Sequence, residues 1–193
     1  MIKSHPKPRA LAAILAASAA LLLPACGSGT DDRAQASGEP GGQTLAAMVA
    51  ADDDLSFVSE TLGNAGMADV FDGTASYTIL APTDSAFDAL GEAGEDLRSP
   101  EQRAAMIAIL RDHIVPGYLT TDDIARAIEL ADDGQVEMQT MGARTLTFTS
   151  EGDGVVVTAE DGARARMSGE ALRASNGVAI PLDGVLKRVV PQA

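Results

Sequence analysis

Few side chains in this sequence can act as a nucleophile, a general base or a metal ligand. The chain has two histidines, His5 near its start and His113 in its middle part. His113 follows Asp112, and such a pair could serve a Ser-His-Asp triad or a carboxylate-containing metal site. At the end of a helix, however, a lone histidine more often bonds backbone groups. We therefore expect a structural role first, a partner contact second and catalysis last, and we predict that the chain is not an enzyme.

Cys26 is the only cysteine, which excludes an intramolecular disulfide and a metal cage of thiolates. It ends the run Leu23-Pro-Ala-Cys26, which resembles the lipobox of bacterial lipoproteins, although proline is uncommon at its position. The resemblance implies that the thiol of Cys26 receives a lipid before the chain is cleaved. A plain secretory signal with a coincidental cysteine, or an uncleaved anchor, is the alternative.

The residues before Cys26 are typical of a signal peptide. Residues 1–9 hold Lys3, Lys7 and Arg9 without an acid, and residues 10–23 are almost wholly apolar. This apolar run is shorter than the roughly 20 residues that span a bilayer. We predict a lipoprotein signal peptide at residues 1–25 and a lipidated cysteine with a Gly- and Ser-rich tether at 26–43. By resemblance to lipoprotein sorting, Gly27 after the cysteine favours the outer membrane over the inner one.

Charge limits the partners that the chain can bind. The sequence has 28 acidic and 14 basic residues and a net charge of −14, which becomes −17 if the basic residues before Cys26 are removed. Such a charge repels phosphate backbones, so we predict no nucleic-acid partner.

Acidic pairs are the remaining candidates for a metal site. Asp52 to Asp54 and the pair Asp122 and Asp123 precede predicted helices, where carboxylates cap free backbone N–H groups. The pair Asp132 and Asp133 lies at a helix end, where acid opposes the helix dipole and could instead bind a cation. No pair has the spacing of an EF-hand, and the sequence lacks Gly-x-Ser-x-Gly. We predict no metal and no cofactor.

The part from residue 44 onward changes from helical to strand periodicity. Capping residues and apolar stripes predict helices after Thr44, Thr83 and Thr120, and a capping box predicts one that starts at Ser99 and carries Ile107, Leu110 and Ile114 on one side. A strand is predicted over residues 76–81. After about residue 135, apolar residues alternate with polar ones, and Gly-Asp-Gly and Asp-Gly turns separate short strands. Helices followed by a strand meander indicate an α+β domain over residues 44–193.

Three motifs in this part resemble the fasciclin (FAS1) domain family. Residues 77–87 read YTILAPTDSAF, residues 110–118 read LRDHIVPGY, and residues 174–186 read ASNGVAIPLDGVL. The resemblance implies a single α+β domain in which helices pack on a β-sandwich or barrel wedge of short, mainly antiparallel strands. Two positions depart from the family pattern: Asp112 replaces the usual tyrosine before the histidine, and Ile180 replaces a histidine.

The resemblance also implies a function. We predict a membrane-tethered, extracytoplasmic binding or adhesion module that is anchored at Cys26 and contacts an envelope or extracellular protein or a polysaccharide. Asp112, His113 and Tyr118 are the candidate partner-binding residues. An apolar small-ligand carrier, of a carotenoid or a lipid, and an envelope enzyme that uses His113 are the alternatives.

Overall fold

Several helices of the domain begin directly after a capping threonine. The computed structural model describes residues 41–189, which belong to one compact unit. Its helices are α1 (Leu45–Ala50), α2 (Ser56–Asn64), α3 (Ala68–Phe71), α4 (Asp84–Asp88), α5 (Glu92–Leu97), α6 (Arg103–Arg111) and α7 (Thr121–Leu130). Short 3-10 helices at Asp53–Leu55 and Pro100–Gln102 lead into α2 and α6.

Eight strands form two four-stranded sheets. They are β1 (Tyr77–Pro82), β2 (Ile114–Pro116), β3 (Gln135–Gln139), β4 (Thr145–Glu151), β5 (Gly154–Ala159), β6 (Arg164–Arg166), β7 (Leu172–Arg173) and β8 (Gly177–Leu182). The first sheet has the order β2-β1-β8-β7, and β1 and β8 are parallel there. The second sheet is an antiparallel meander, β3-β4-β5-β6. The sheets resemble a sandwich and do not close into a barrel, and the predicted α+β fold class is confirmed.

Three predicted helix starts are confirmed by their hydrogen bonds. The hydroxyl of Thr44 accepts from the backbone N–H of Ala47, and that of Thr83 accepts from the N–H of Ala86. Thr120 and Asp123 form a full capping box at α7. These side chains satisfy backbone donors that a helix leaves free in its first turn.

Two details of the predicted α6 are wrong. The side chain of Ser99 makes no capping bond, and the N–H of Gln102 donates to the backbone carbonyl of Ser99 in a 3-10 turn. The helix also ends at Arg111, so Ile114 lies in β2 rather than on a helical stripe. The buried face of α6 consists of Met106, Ile109 and Leu110.

The apolar core has two clusters, and the first sheet separates them. One cluster packs helices α1 to α6 against this sheet and includes Phe71, Phe87 and Ile79. The other fills the space between the two sheets and α7 and includes Phe148 and Ile180. Alternate residues of β1 and β8 therefore serve different clusters, as Ile79 and Leu80 do.

A buried asparagine joins the N-terminal helices to the first sheet. The Oδ1 atom of Asn176 accepts from the N–H of Leu45 at 2.8 Å. Its Nδ2 group donates to the carbonyl oxygens of Phe71 and Gly73, each at 2.7 Å. One side chain thus satisfies backbone groups of α1, of α3 and of the following turn.

The predicted signal peptide (1–25) and most of the predicted tether (26–43) lie outside the described residues, and so does Cys26. Within residues 41–189, the longest helix has ten residues, and none has the length and apolar character needed to span a bilayer.

Candidate functional site

The candidate residues Asp112 and His113 lie where α6 ends and β2 begins. The hairpin that joins β3 to β4 folds over this junction. The N–H of Met141 donates to the carbonyl of Ile114 at 2.8 Å, and the N–H of Gly142 donates to that of Arg111 at 3.1 Å. The hairpin tip therefore covers the helix end and satisfies one free carbonyl of α6, that of Arg111, and one carbonyl of β2, that of Ile114.

The His113 ring is fully buried and bonded at both nitrogens. Its Nδ1 atom lies 2.8 Å from the carbonyl oxygen of Ile109, and its Nε2 atom lies 2.9 Å from the backbone nitrogen of Leu186. The neutral tautomer with its proton on Nδ1 fits both contacts, because Nδ1 then donates and Nε2 accepts. The prediction that the ring bonds backbone at the end of the helix is confirmed.

Burial also determines the protonation of His113. Loss of solvent disfavours the charged ring and lowers its pKa to about 4, although the hydrogen bond to Ile109 acts in the opposite direction. The ring is therefore neutral near pH 7. A partner could touch it directly only if the ring left this position, so partner binding by His113 stays a prediction.

Asp112 forms an ion pair beneath the hairpin. Its Oδ2 atom lies 3.1 Å from Nε of Arg144, and the Asp112 side chain is 12% exposed. The other oxygen packs so closely on Gly142 that a Cβ atom there would lie 1.8 Å from it. The carboxylate thus requires glycine at position 142, while the adjacent Ala143 adopts a left-handed conformation with φ of 61°.

The Asp112 carboxyl group has a raised pKa. Burial is the main cause, Arg144 and Lys187 partly offset it, and the charges of Glu160 and Asp161 add to it. The pair with Arg144 therefore holds a carboxylate that its surroundings would otherwise protonate more easily.

We expect Arg144→Gln to lower the free energy of unfolding by about 1 kcal/mol at pH 7, because it leaves the Asp112 carboxylate buried without its cation. The expected loss of stability is small because the Arg144 side chain is 43% exposed, so water screens its charge. In the variant, the pKa of Asp112 should rise further, so the difference from the wild type should shrink as the pH falls toward 4. Urea unfolding of both proteins at pH 7 and pH 4 measures this. A difference that is equal at both pH values would contradict it.

A depression of about 410 Å³ opens beside this ion pair. Its walls are Ala108, Arg111, Asp112 and the hairpin residues 141–144. Arg111 is exposed, whereas the Arg144 side chain is 43% exposed and pairs with both Asp112 and Glu160. The arrangement is suited to holding an anionic group of a partner.

Tyr118 does not join Asp112 and His113. It lies beyond β2 and packs half-buried against the cluster between the sheets. Its hydroxyl group is buried and has no hydrogen-bond partner among the described residues. Ile180, where the family pattern has histidine, lies in β8 and is 2% exposed. Asp112 and Tyr118 are thus close in sequence but lie in different parts of the domain, Asp112 beneath the hairpin and Tyr118 against the cluster between the sheets.

The acidic pairs take ordinary structural positions. Asp122 pairs with Arg173 at 3.4 Å, and Asp123 belongs to the capping box of α7. Asp133 accepts from the backbone and side chain of Gln135 at the start of β3. Among residues 41–189, no three His, Cys, Asp or Glu side chains converge in a way that would hold a metal ion.

Sequence reasoning did not identify a second cleft, which lies between α2, α5 and the start of α6. It has a volume of about 110 Å³, and Phe57, Leu97 and Met106 contribute apolar walls. Arg98 lies over the Phe57 ring at 5.0 Å and pairs with Asp88 at 3.0 Å. No sequence motif marks this cleft, because its residues come from three separate helices.

Comparison with known proteins agrees with this architecture. The model of the family described as "Fasciclin domain" matches residues 53–188. A Synechocystis protein named sll1483 is 27% identical over 145 residues, which cover 74% of this chain and 72% of the relative.

A solved structure gives the same result for the fold. A FAS1 domain pair from the insect cell adhesion molecule Fasciclin I superposes with a TM-score of 0.65 at 16% identity, over 76% of this chain. The match covers 51% of the insect chain, so this chain spans about half the length of that structure. With a family model that matches residues 53–188, the chain belongs to the fasciclin domain family.

Proposed function

We propose that this protein is a membrane-tethered, extracytoplasmic binding or adhesion module that acts through its fasciclin domain without catalysing a reaction. The observation that carries the proposal is the fasciclin domain itself, which spans residues 53–188 and is in general an adhesion and binding module. The insect relative of the same fold is a cell adhesion molecule. The lipid on Cys26 and the Gly-rich stretch that follows it would hold the domain near a bacterial membrane, the outer one in a two-membrane cell.

The state of His113 supports binding rather than catalysis. A general base needs a free ring nitrogen within reach of a substrate proton. Both nitrogens of His113 bond backbone groups inside the core, and burial lowers the pKa of the ring. The envelope-enzyme alternative would need this ring to be released.

The depression beside the hairpin is the partner-binding surface that we favour. Asp112 forms part of its wall, where Arg144 is already paired with Asp112 and Glu160, while Arg111 forms no ion pair among the described residues. The charge of Arg111 suits carboxylate or phosphate groups on an envelope protein or a polysaccharide. The hydroxyl group of Tyr118 is buried, so Tyr118 would support the binding surface by packing against the core rather than by touching a partner.

Cys26→Ser should release the protein from membranes, because serine has no thiol to which the lipid anchor can be joined by a thioether bond. We expect the wild type in the membrane fraction after a high-salt wash and the variant in the soluble fraction. Ser28→Ala, two residues away, is the control and should remain with the membrane. Mass spectrometry of the wild type should find the lipid on Cys26. A Cys26→Ser protein that stays with the membrane would show that the uncleaved N-terminal segment is the anchor.

The same strains test the binding function. Cells that carry Cys26→Ser should attach to surfaces as weakly as a deletion strain, because the domain is no longer held on the cell. The wild-type protein should also retain specific components of solubilised envelope fractions. Unchanged attachment in the deletion strain, together with no retained component, would overturn the proposed function.

A further inference from the structure

Helix α6 presents a row of basic residues to solvent. The arginine row consists of Arg103 and Arg111, with Ile107 midway between them, so that the three residues follow one another at intervals of one helical turn. Arg103 and Arg111 are exposed, Ile107 is half-buried, and no acidic residue lies between them. Within residues 41–189, neither arginine forms an ion pair, and Arg111 only donates to the carbonyl oxygen of Met141 at 3.5 Å.

This row is unusual on a chain with a net charge of −14. Most other basic side chains of the domain face a carboxylate, as Arg164 faces Glu151 and Lys187 faces Asp161. Exposed guanidinium groups without such partners attract anions and bind carboxylates through paired N–H groups. The arginine row is therefore available to an anionic ligand.

The dimensions of the row indicate a chain rather than a small ion. Arg103 and Arg111 are eight residues apart, which corresponds to about 12 Å along a helix. The row begins at the cleft that Phe57 and Arg98 line and ends at the depression beside Arg144. Ala104 and Ala108 are exposed beside it, and their small side chains let a broad ligand approach the helix closely.

We propose that the arginine row binds a linear acidic polysaccharide of the polyuronate class. This inference rests on the proposed function and names the chemical class of its partner. Carboxylates along the polymer would meet Arg103 and Arg111, the two arginines of the row that form no ion pair among the described residues.

Charge density favours a polyuronate over a nucleic acid. Double-stranded DNA carries a negative charge for about every 1.7 Å of its axis, so the surrounding carboxylates of this domain would repel it strongly. A polyuronate has one charge on each sugar and neutral hydroxyl groups elsewhere. The arginine row can therefore bind carboxylates of the polyuronate, while the acidic surface of the domain repels this polymer less than it would repel DNA.

The test measures binding of polygalacturonate oligomers to the full, lipidated chain in neutral detergent micelles at about 50 mM salt. We expect the double variant Arg103→Gln/Arg111→Gln to raise the Kd about tenfold or more. The control Arg126→Gln/Arg188→Gln removes the same charge from exposed arginines outside the row and should change the Kd less than about twofold. Fully methyl-esterified oligomers, which keep the sugars and lose the charge, should bind more weakly to the wild type. Equal unfolding midpoints would show that the variants remain folded.

Three results would overturn the inference. Equal weakening by both double variants would mean that overall charge, not the row, controls binding. Equal, row-dependent binding of polyglutamate would assign the row to an acidic peptide. No binding of polygalacturonate would exclude this polysaccharide class, but retention of other envelope components would leave the proposed function standing.

Discussion

Replacing His113 with alanine should lower the free energy of unfolding by about 3 to 5 kcal/mol, the largest effect that we expect from one substitution. The change opens a cavity in a fully buried position and removes the partners of two backbone groups. The N–H of Leu186 and the carbonyl of Ile109 would then be buried without their hydrogen bonds. Urea unfolding at pH 7.5 measures the loss. Leu130→Ala, which truncates a side chain that is 76% exposed, is the control and should change stability by less than about 0.5 kcal/mol.

The same ring should make stability depend on pH. Folding lowers the pKa of His113 from 6.5 to about 4, so the folded state favours the neutral ring. Its contribution is complete above pH 6.5 and disappears as the pH falls from 6.5 to 4, by about 3 kcal/mol in all. In His113→Gln this part of the pH dependence should vanish. A wild-type stability that stays constant from pH 7 to pH 4.5 would contradict the prediction.

Asp161 acts in a lower pH range and can be separated from His113. Burial would raise the pKa of Asp161, but backbone N–H groups of Ala163 and Arg188 and the ammonium group of Lys187 outweigh it and lower the pKa to about 2. Its contribution is therefore present above pH 3.8 and disappears as the pH falls toward 2. Asp112, whose raised pKa brings its titration toward the same window, is present in both the wild type and His113→Gln, so the difference between these two proteins isolates the histidine.

Asn176→Ala should cost about 3 kcal/mol, the second large effect. The substitution removes three hydrogen bonds to backbone groups of Leu45, Phe71 and Gly73. Buried backbone groups without partners each cost about 1 to 3 kcal/mol, offset where water can enter. Besides a lower unfolding midpoint, hydrogen exchange should show faster opening of α1 and α3 than of the β3–β6 meander.

Asn64 provides a matched control for Asn176. It is exposed and makes one contact, with the Glu60 side chain at 3.5 Å. Asn64→Ala should therefore leave stability within about 0.5 kcal/mol of the wild type. If both alanine variants lost the same stability, the buried asparagine would not hold the helices to the sheet as described.

Local chemistry made much of the fold predictable. Thr83 and Thr120 cap the helices that follow them, because the threonine hydroxyl bonds a neighbouring N–H whatever the rest of the chain does. The alternation of Leu146 and Phe148 with threonines likewise reflects a strand with one buried face. Such patterns depend on residues that are close in sequence.

Features that depend on distant residues were not predictable in the same way. The parallel pairing of β1 with β8 joins residues 100 positions apart, as in Tyr77 and Gly177. Ile114 was placed on a helix because its spacing from Leu110 suits one, but pairing with Ile79 puts it in β2.

The candidate site shows the same division. The bond of His113 to the carbonyl of Ile109 follows from its place at a helix end, but the bond from the N–H of Leu186 depends on a segment 73 residues away. The burial of Asp112 was not predictable either, because it results from a hairpin tip some 30 residues later that brings Gly142 and Arg144 over the carboxylate. The exposed arginines of α6 carried no motif, and only the helix register shows them as a row.

The parallel pair β1–β8 has a consequence for the order in which the domain forms. The first sheet has the order β2-β1-β8-β7. Its central strand β8 is formed by residues 177–182, so β1 has no partner on that side until these residues have been synthesised. Pairing β1 with β8 closes a loop of about 100 residues, and the entropy of closing it is lost before the new contacts stabilise the sheet. Domains rich in such distant pairings fold slowly. Helices α1 to α6 would have no completed sheet to pack on during synthesis. The domain should thus stay unfolded until residues 177–182 have been synthesised.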